Sequence, residues 1–404
     1  MLTMKHCFLL TVTFLILSQP LLARKLTVER GSDLQSVIDF AVSGDTIIIG
    51  EKTFTARPSA FTDPICGNCS DPATEVPATT GFVIKGKSLT LIGESRTDSR
   101  LVTNAGYGVY IEGSPHVIIR NLTITGGKRD PDGNATDAAV VVRTSRVEII
   151  DCDIRDNLHR LDTVVVGIGG VFGREGSDIS LRNCLIADNG WDGVALYRAA
   201  TATVVDCIIR DGRGAGIGVT WDATCFAFRN DVSGYWKGIG AFGTSWVIAR
   251  NNRVFGNLGW GMIATGQAYM DMTNNVIYSN GNCGVAPWST EARGRIKNNI
   301  IVANGWRDQW VCPCVGVWNY GDWAKWEFTN NIVWNNVKAE YEDIWDQTGF
   351  NGNINEDPKF ADTTSFRLAD DSPAWHAGDS LIYNRDGSRS HIGLSGGPQA
   401  PLRY

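Results

Sequence analysis

Asp192, Arg213 and Lys237 stand just before or at the start of successive glycine-bearing runs, with Tyr235 beside the lysine and His159 in an upstream loop. A guanidinium can neutralise a carboxylate while a neutral amine takes the neighbouring C–H proton. Arg213 and Lys237 can therefore divide the two roles of a β-elimination, with Tyr235 or His159 as alternative bases. Hydrolysis of a glycoside needs two carboxylates about 5–9.5 Å apart instead. Asp192 is one candidate, but Asp222 lies roughly 20 Å further along the same stretch at ~3.3 Å per residue. Asp162 or Asp308, in flanking loops, would have to complete that pair, so elimination is favoured.

Tryptophans accompany these charges. Trp191, Trp236 and Trp260 sit among them, and Trp306 and Trp310 fall in a later loop. Rings interleaved with charges suit a sugar polymer, whose apolar faces stack while its hydroxyls and carboxylates take fixed partners. The plainer reading is that the 14 tryptophans fill turns and cover strands. Arg198 ends a strand in line with Arg143 and Arg174. This row either binds an anion or is neutralised at the surface by Glu112, Glu175 and Asp222.

A repeat must position these residues. Asn121, Cys152, Cys184, Cys207, Asn230, Asn252, Asn275, Asn299 and Asn331 recur inside apolar runs at steps of 31, 32, 23, 23, 22, 23, 24 and 32. Such a period fits one coil of a parallel β-solenoid. Each coil reads as three strands, one opening at a glycine, one before the polar residue and one after it. A buried carboxamide is costly alone, but identical ones stacked at ~4.8 Å can bond in a chain, so the aligned residues are expected to form an internal Asn/Cys ladder. From each ladder residue to the next strand opening, the counts are 17 and 18, then 8 or 9, then 17 again. The extra length falls in one turn at both ends of the regular coils, which predicts two walls flanking a trough floored by residues 190–284.

The ends read differently. Residues 1–23 have the basic start, apolar run and small final residue of a secretory signal peptide, and 24–54 form an N-terminal cap whose helix opens with a Ser32/Gln35 capping box. Residues 55–80 read as a surface loop, 81–355 as the solenoid, and 356–404 as a last coil and cap. Net charge of −6 gives no pull towards nucleic acid, and no stretch past the signal could span a membrane. The exported chain is expected to be a monomer, extracellular or periplasmic. Cys152, Cys184 and Cys207 read as buried thiols, whereas Cys66/Cys69 and Cys312/Cys314 sit in loops with their pairing open. No cofactor is certain. Calcium is the one candidate, where Asp130, Asp132 and Asp137 gather in a loop, and solvated turns are the alternative.

The coils and the tail from Glu356 to Asp379 resemble secreted right-handed parallel β-helix proteins of the pectate-lyase-like superfamily. The resemblance implies handedness, and it implies that an extracellular polysaccharide would bind across the first strand of each coil and the turn before it. The superfamily's catalytic motifs are missing: there is no Arg-x-Pro-x-x-Arg, Asn-Thr-Asp or Gly-His-Gly. Arg295-Ile296-Lys297 matches another by letters but precedes Asn299 on a second strand. The expectation is therefore an all-β, single right-handed parallel β-helix acting on an acidic polysaccharide as a lyase. A non-catalytic glycan-binding or structural solenoid is the alternative, and a glycoside hydrolase the second alternative.

Overall fold

Each repeat lays one strand on each of three long sheets of 12, 11 and 12 strands. The computed structural model describes residues 23–28, 31–308 and 311–401, so the expected signal peptide and Trp310 lie outside the described residues. In one coil, Val194–Leu196 lies on the floor sheet, Thr201–Val205 on the second and Ile208–Arg210 on the third. They pair in parallel with Ala215–Val219, Thr224–Phe228 and Asp231–Ser233 of the next coil. The chain is thus the expected right-handed parallel β-helix. Its core is a continuous column of small and branched side chains such as Ala202, Cys225, Val247 and Met270.

The ladder runs down this column. Asn275 Oδ1 accepts from the Asn252 backbone N–H and from Asn252 Nδ2, both at 3.0 Å. Its own Nδ2 donates to Ala249 O at 2.9 Å and to Asn299 Oδ1 at 3.0 Å. All four valences of the carboxamide are used. The same pattern links Asn230 to Asn252 and Asn299 to Asn331, and it continues to Asn353. Upstream, the Cys184 and Cys207 thiols each donate to a main-chain carbonyl. Asn121 is a correction. Strand register aligns Thr123 with Asp153, so Leu122, fully buried, fills the slot opposite Cys152.

Asn121 instead occupies the position before the slot, which is left-handed in coil after coil: φ is 57° there and 53–59° at Asn251, Asn274, Asn298 and Asn330. Asn tolerates this conformation better than other side chains with a Cβ. These turn asparagines also hold the C-terminal tail. Asn330 Nδ2 donates to Ala377 O, Asn298 Oδ1 accepts from Asp379 N, Asn274 Nδ2 donates to His391 O, and Asn251 Nδ2 donates to Leu394 O. Rising tail numbers meet falling coil numbers, so the tail runs back along the rod. Phe366, Leu368, Ile392 and Leu394 cover Val276, Ile300, Val302 and Ile332 of the third sheet. Where the sequence reads a last coil and cap, the structure has a lateral strap.

At the other end the helix Leu34–Phe40 buries Leu34 and Ile38 against the core. Its N-cap is Asp33, whose carboxylate accepts from Ser36 N at 3.1 Å, and not Ser32. Gln35 is drawn away from any capping box because its amide bonds both Val83 N and Val83 O, covering the open edge of the floor sheet as another strand would. Within 55–80, Ser59–Asp63 pairs antiparallel with Val76–Lys85, and Cys66 bonds Cys69 between them. Asn275→Ala would break four buried hydrogen bonds, and we expect a loss of about 3 kcal/mol in denaturant unfolding. Asn274→Ala should instead free the tail, read as faster proteolysis around residues 377–396 with a smaller change in global unfolding.

Candidate functional site

The floor and the upstream wall line a cavity of about 590 Å³, and Asp192, Arg213, Lys237, Trp191 and Trp236 all belong to its lining. Gly133–Ala135 and Val165–Val166, from the inserted turns, form one side. Arg213 Nη1 donates to Val165 O at 3.3 Å, fastening the floor to that wall. On the other side Arg307 stacks its guanidinium 4.9 Å from the Trp236 ring centre, and a Cys283–Cys312 disulfide ties the wall to a floor strand.

Register places Lys237 beside Ala215 of the preceding coil, and the Ala215 N–H donates to Asp192 Oδ1 at 2.6 Å. Asp192 and Lys237 therefore flank one small side chain. Gly214 permits this arrangement, because a Cβ there would lie 1.9 Å from Asp192 Oδ1. Asp192 keeps a face towards the cavity, yet burial raises its carboxyl to about 6 against the pull of the Ala215 N–H and of Lys237. Burial lowers the pKa of Lys237, opposed by the Asp192 charge. Its Nζ lies 5.8 Å from the Phe242 ring centre, and it has no ion pair within 4.0 Å among the described residues. A cation, a carboxyl raised by burial and an amine lowered by burial thus share one opening. That set can bind a carboxylate and move a proton beside it.

Several expected residues do not belong to it. Tyr235 points into the core, fully buried, with a hydroxyl that has no hydrogen-bond partner. It occupies a second ladder, five residues after the first, in which Asn257, Asn280, Asn304 and Asn336 bond in series. The ring fits because Gly212, one coil earlier, has no Cβ to meet it. The +5 spacing is visible in the sequence and would have marked Tyr235 as inward. Trp260 is 3% exposed, packed between Trp236 and Trp288, and cannot offer a ring face. His159 is exposed on the wall, outside the cavity lining, with Nδ1 accepting from Arg129 N. Trp306 is exposed, but its Nε1 donates to Ser279 O and it does not line the cavity.

The arginine row is structural. Arg198 donates to Cys69 O and stacks 3.9 Å from the Trp221 ring centre, so it pins the disulfide loop and is no substrate ligand. Arg143 and Arg174 both reach Asp63, at 3.0 and 3.1 Å, and Tyr107 donates to the same carboxylate. Asp63, in the stretch read as a loop, escaped sequence reasoning because nothing local marks its partners. The proposed calcium loop closes on a cation of its own. Arg129 pairs with Asp132 at 3.0 Å and with Asp137, while Asp130 accepts from Thr79.

The chain matches two family models: a right handed beta helix region over residues 74–232, and the periplasmic copper-binding protein (NosD) family over 155–360. No curated protein matches it in sequence. Among solved structures, pectate lyase Pel9A is 12% identical, with 92% of this chain and 95% of that one aligned at a TM-score of 0.50. The Dettilon tailspike protein is 15% identical at a TM-score of 0.47, and 74% of this chain spans 57% of its length. The periplasmic alginate epimerase AlgG is 12% identical, with 82% of each chain aligned at 0.40. Likeness at these identities concerns the fold.

The family description raises copper, which favours thiolate, thioether and imidazole donors. The residues present do not fit it. The free thiols at Cys152, Cys184, Cys207, Cys225 and Cys314 are all buried, and the three in the ladder bond main-chain carbonyls. His391 has both ring nitrogens engaged, by His376 N and Asn384 Nδ2. No three His, Cys, Asp or Glu side chains converge as a metal site among the described residues. With over half its length matched and every coil in register, the chain belongs to the NosD family, built as a right-handed parallel β-helix of the pectate-lyase-like type.

Proposed function

We propose that this protein is an exported lyase that binds an acidic polysaccharide in the trough and cleaves it by β-elimination. The convergence of Arg213, Lys237 and Asp192 on one cavity beside the upstream wall carries the reading. Arg213 neutralises the uronate carboxylate, which makes the adjacent C–H acidic, and Lys237 in its amine form takes that proton. The electron pair of that C–H bond forms the double bond as the bond from the β-carbon to the glycosidic oxygen breaks, and the departing oxygen takes a proton from solvent, leaving an unsaturated sugar on one fragment and a hydroxyl on the other. Trp191 and Trp236 supply ring surfaces for the sugars on either side. A single carboxyl in the cavity lining argues against a hydrolytic pair. The family's periplasmic description, the match to carbohydrate-active folds and the predicted signal sequence support action outside the cytoplasm.

Incubation with pectate, alginate and glycosaminoglycans should yield ultraviolet-absorbing unsaturated uronides from one of them. Lys237→Ala should lower that rate by about a thousandfold, as expected for loss of a general base. If no polymer yields product, the lyase reading fails. The Asp192 anion stabilises the Lys237 ammonium, so Asp192→Asn lowers the lysine pKa further. The acidic limb of the pH–rate profile should therefore move to lower pH; a limb that stays or rises would contradict the assignment. Tyr235→Phe removes an orphaned buried hydroxyl, and should keep full activity with an unchanged or higher melting temperature.

A further inference from the structure

We infer that the outer face of the second sheet, against the C-terminal strap, is a separate binding groove for an acidic glycan. Two depressions there, of about 680 and 570 Å³, are both lined by Arg295 and Glu327 and so adjoin each other. The strap supplies its far wall through Tyr383 and Asn384. This face is distinct from the trough, since the two linings have no residue in common.

Strand register lays out the groove in rows along the rod. Trp246, Tyr269 and Arg293 are successive partners in one row, and Ile248, Asp271, Arg295 and Glu327 in the next. Trp246 is 44% exposed and stacks on Tyr269 with ring centres 4.0 Å apart, and Tyr269 lines the smaller depression, so the ring pair stands at its edge. Arg293 follows it with no carboxylate partner among the described residues. Along the two linings, Lys and Arg outnumber Asp and Glu by five to three, on a chain whose net charge is −6.

The carboxylates decide between ligand classes. Asp271 is held by Arg250 at 2.7 Å, and Lys297 bridges Glu327 and Asp379 at 2.5 and 2.9 Å. Arg295 lies 3.4 Å from Glu327 and Lys325 lies 2.9 Å from Glu291, so Arg293 is the lining cation without a carboxylate partner among the described residues; it can take a uronate or sulfate group while the oriented carboxylates accept from sugar hydroxyls. A deoxyribose phosphodiester backbone carries no hydroxyl donors for those carboxylates to accept from. The row spacing of ~4.8 Å gives an extended polymer lying parallel to the rod one contact per coil. The groove would then hold a chain on the flank while the trough acts on it, although it stands on its own residues.

Isothermal titration of the whole protein with oligogalacturonate, alginate oligomers and chondroitin sulfate tests this. Neutral cello-oligosaccharide and a single-stranded oligonucleotide serve as comparison probes. Trp246→Ala combined with Arg295→Ala, both exposed and remote from the trough, should weaken one class of acidic-glycan sites by about tenfold. Arg213→Ala combined with Lys237→Ala should leave that class intact, so failure of the trough reading and failure of this one are separable. Arg293→Ala alone should reproduce part of the loss without altering the rings. The proposal is overturned if none of the acidic glycans binds, if the Trp246/Arg295 variant binds as the parent does, or if the oligonucleotide or neutral glycan binds more tightly.

Discussion

A carboxamide buried in an apolar column must have every donor and acceptor paired, and in this protein its partners are the same groups one coil above and below and the main chain of the preceding coil. Asn230, Asn252, Asn275, Asn299, Asn331 and Asn353 meet that demand in a single chain of hydrogen bonds. Shifting one coil by a residue would reverse which side chains face inward and leave amides unpaired on both sides. Coil length along the ladder is therefore held nearly constant, except at the one turn that does not enter the core. Extra residues accumulate there, and they become the walls.

The walls and the floor are joined by contacts that serve no other evident purpose. Arg213 reaches Val165, Arg307 covers Trp236, and a disulfide fastens Cys312 to Cys283. The Ser59–Asp63 hairpin closes the upstream end of the floor through Asp63, whose buried carboxylate gathers Arg143, Arg174 and Tyr107. Within that frame Asp192 and Lys237 are set apart by only an alanine, each with its ionisation shifted towards the neutral form by burial. The tail plays the same part on the opposite flank. Turn asparagines that the coil needs for their left-handed backbone also supply the amides that bind it.

The solenoid was legible because its period is written in residue types that only one geometry satisfies. Adjacent asparagines blurred the fine register. In the Asn251-Asn252 pair the first residue is in the turn and the second in the core, and at Asn121 the lone asparagine is the turn residue, with Leu122 inside. The trough followed from loop lengths, and Asp192, Arg213, Lys237, Trp191 and Trp236 do share it. Tyr235 and Trp260 misled because a position near a strand opening does not say which way the side chain turns. Asp63 and the strap were hidden for another reason: their partners lie far away in sequence and follow no repeat.

Hydrogen exchange with and without a bound uronate oligomer tests the ladder-and-trough arrangement most directly. Ligand should slow exchange at residues 190–194, 213–215 and 236–238 together with the wall at 133–135 and 165–166, while the ladder amides remain protected in both states. Protection confined to other faces, or rapid exchange of the Asn252, Asn275 and Asn299 amides without ligand, would contradict it.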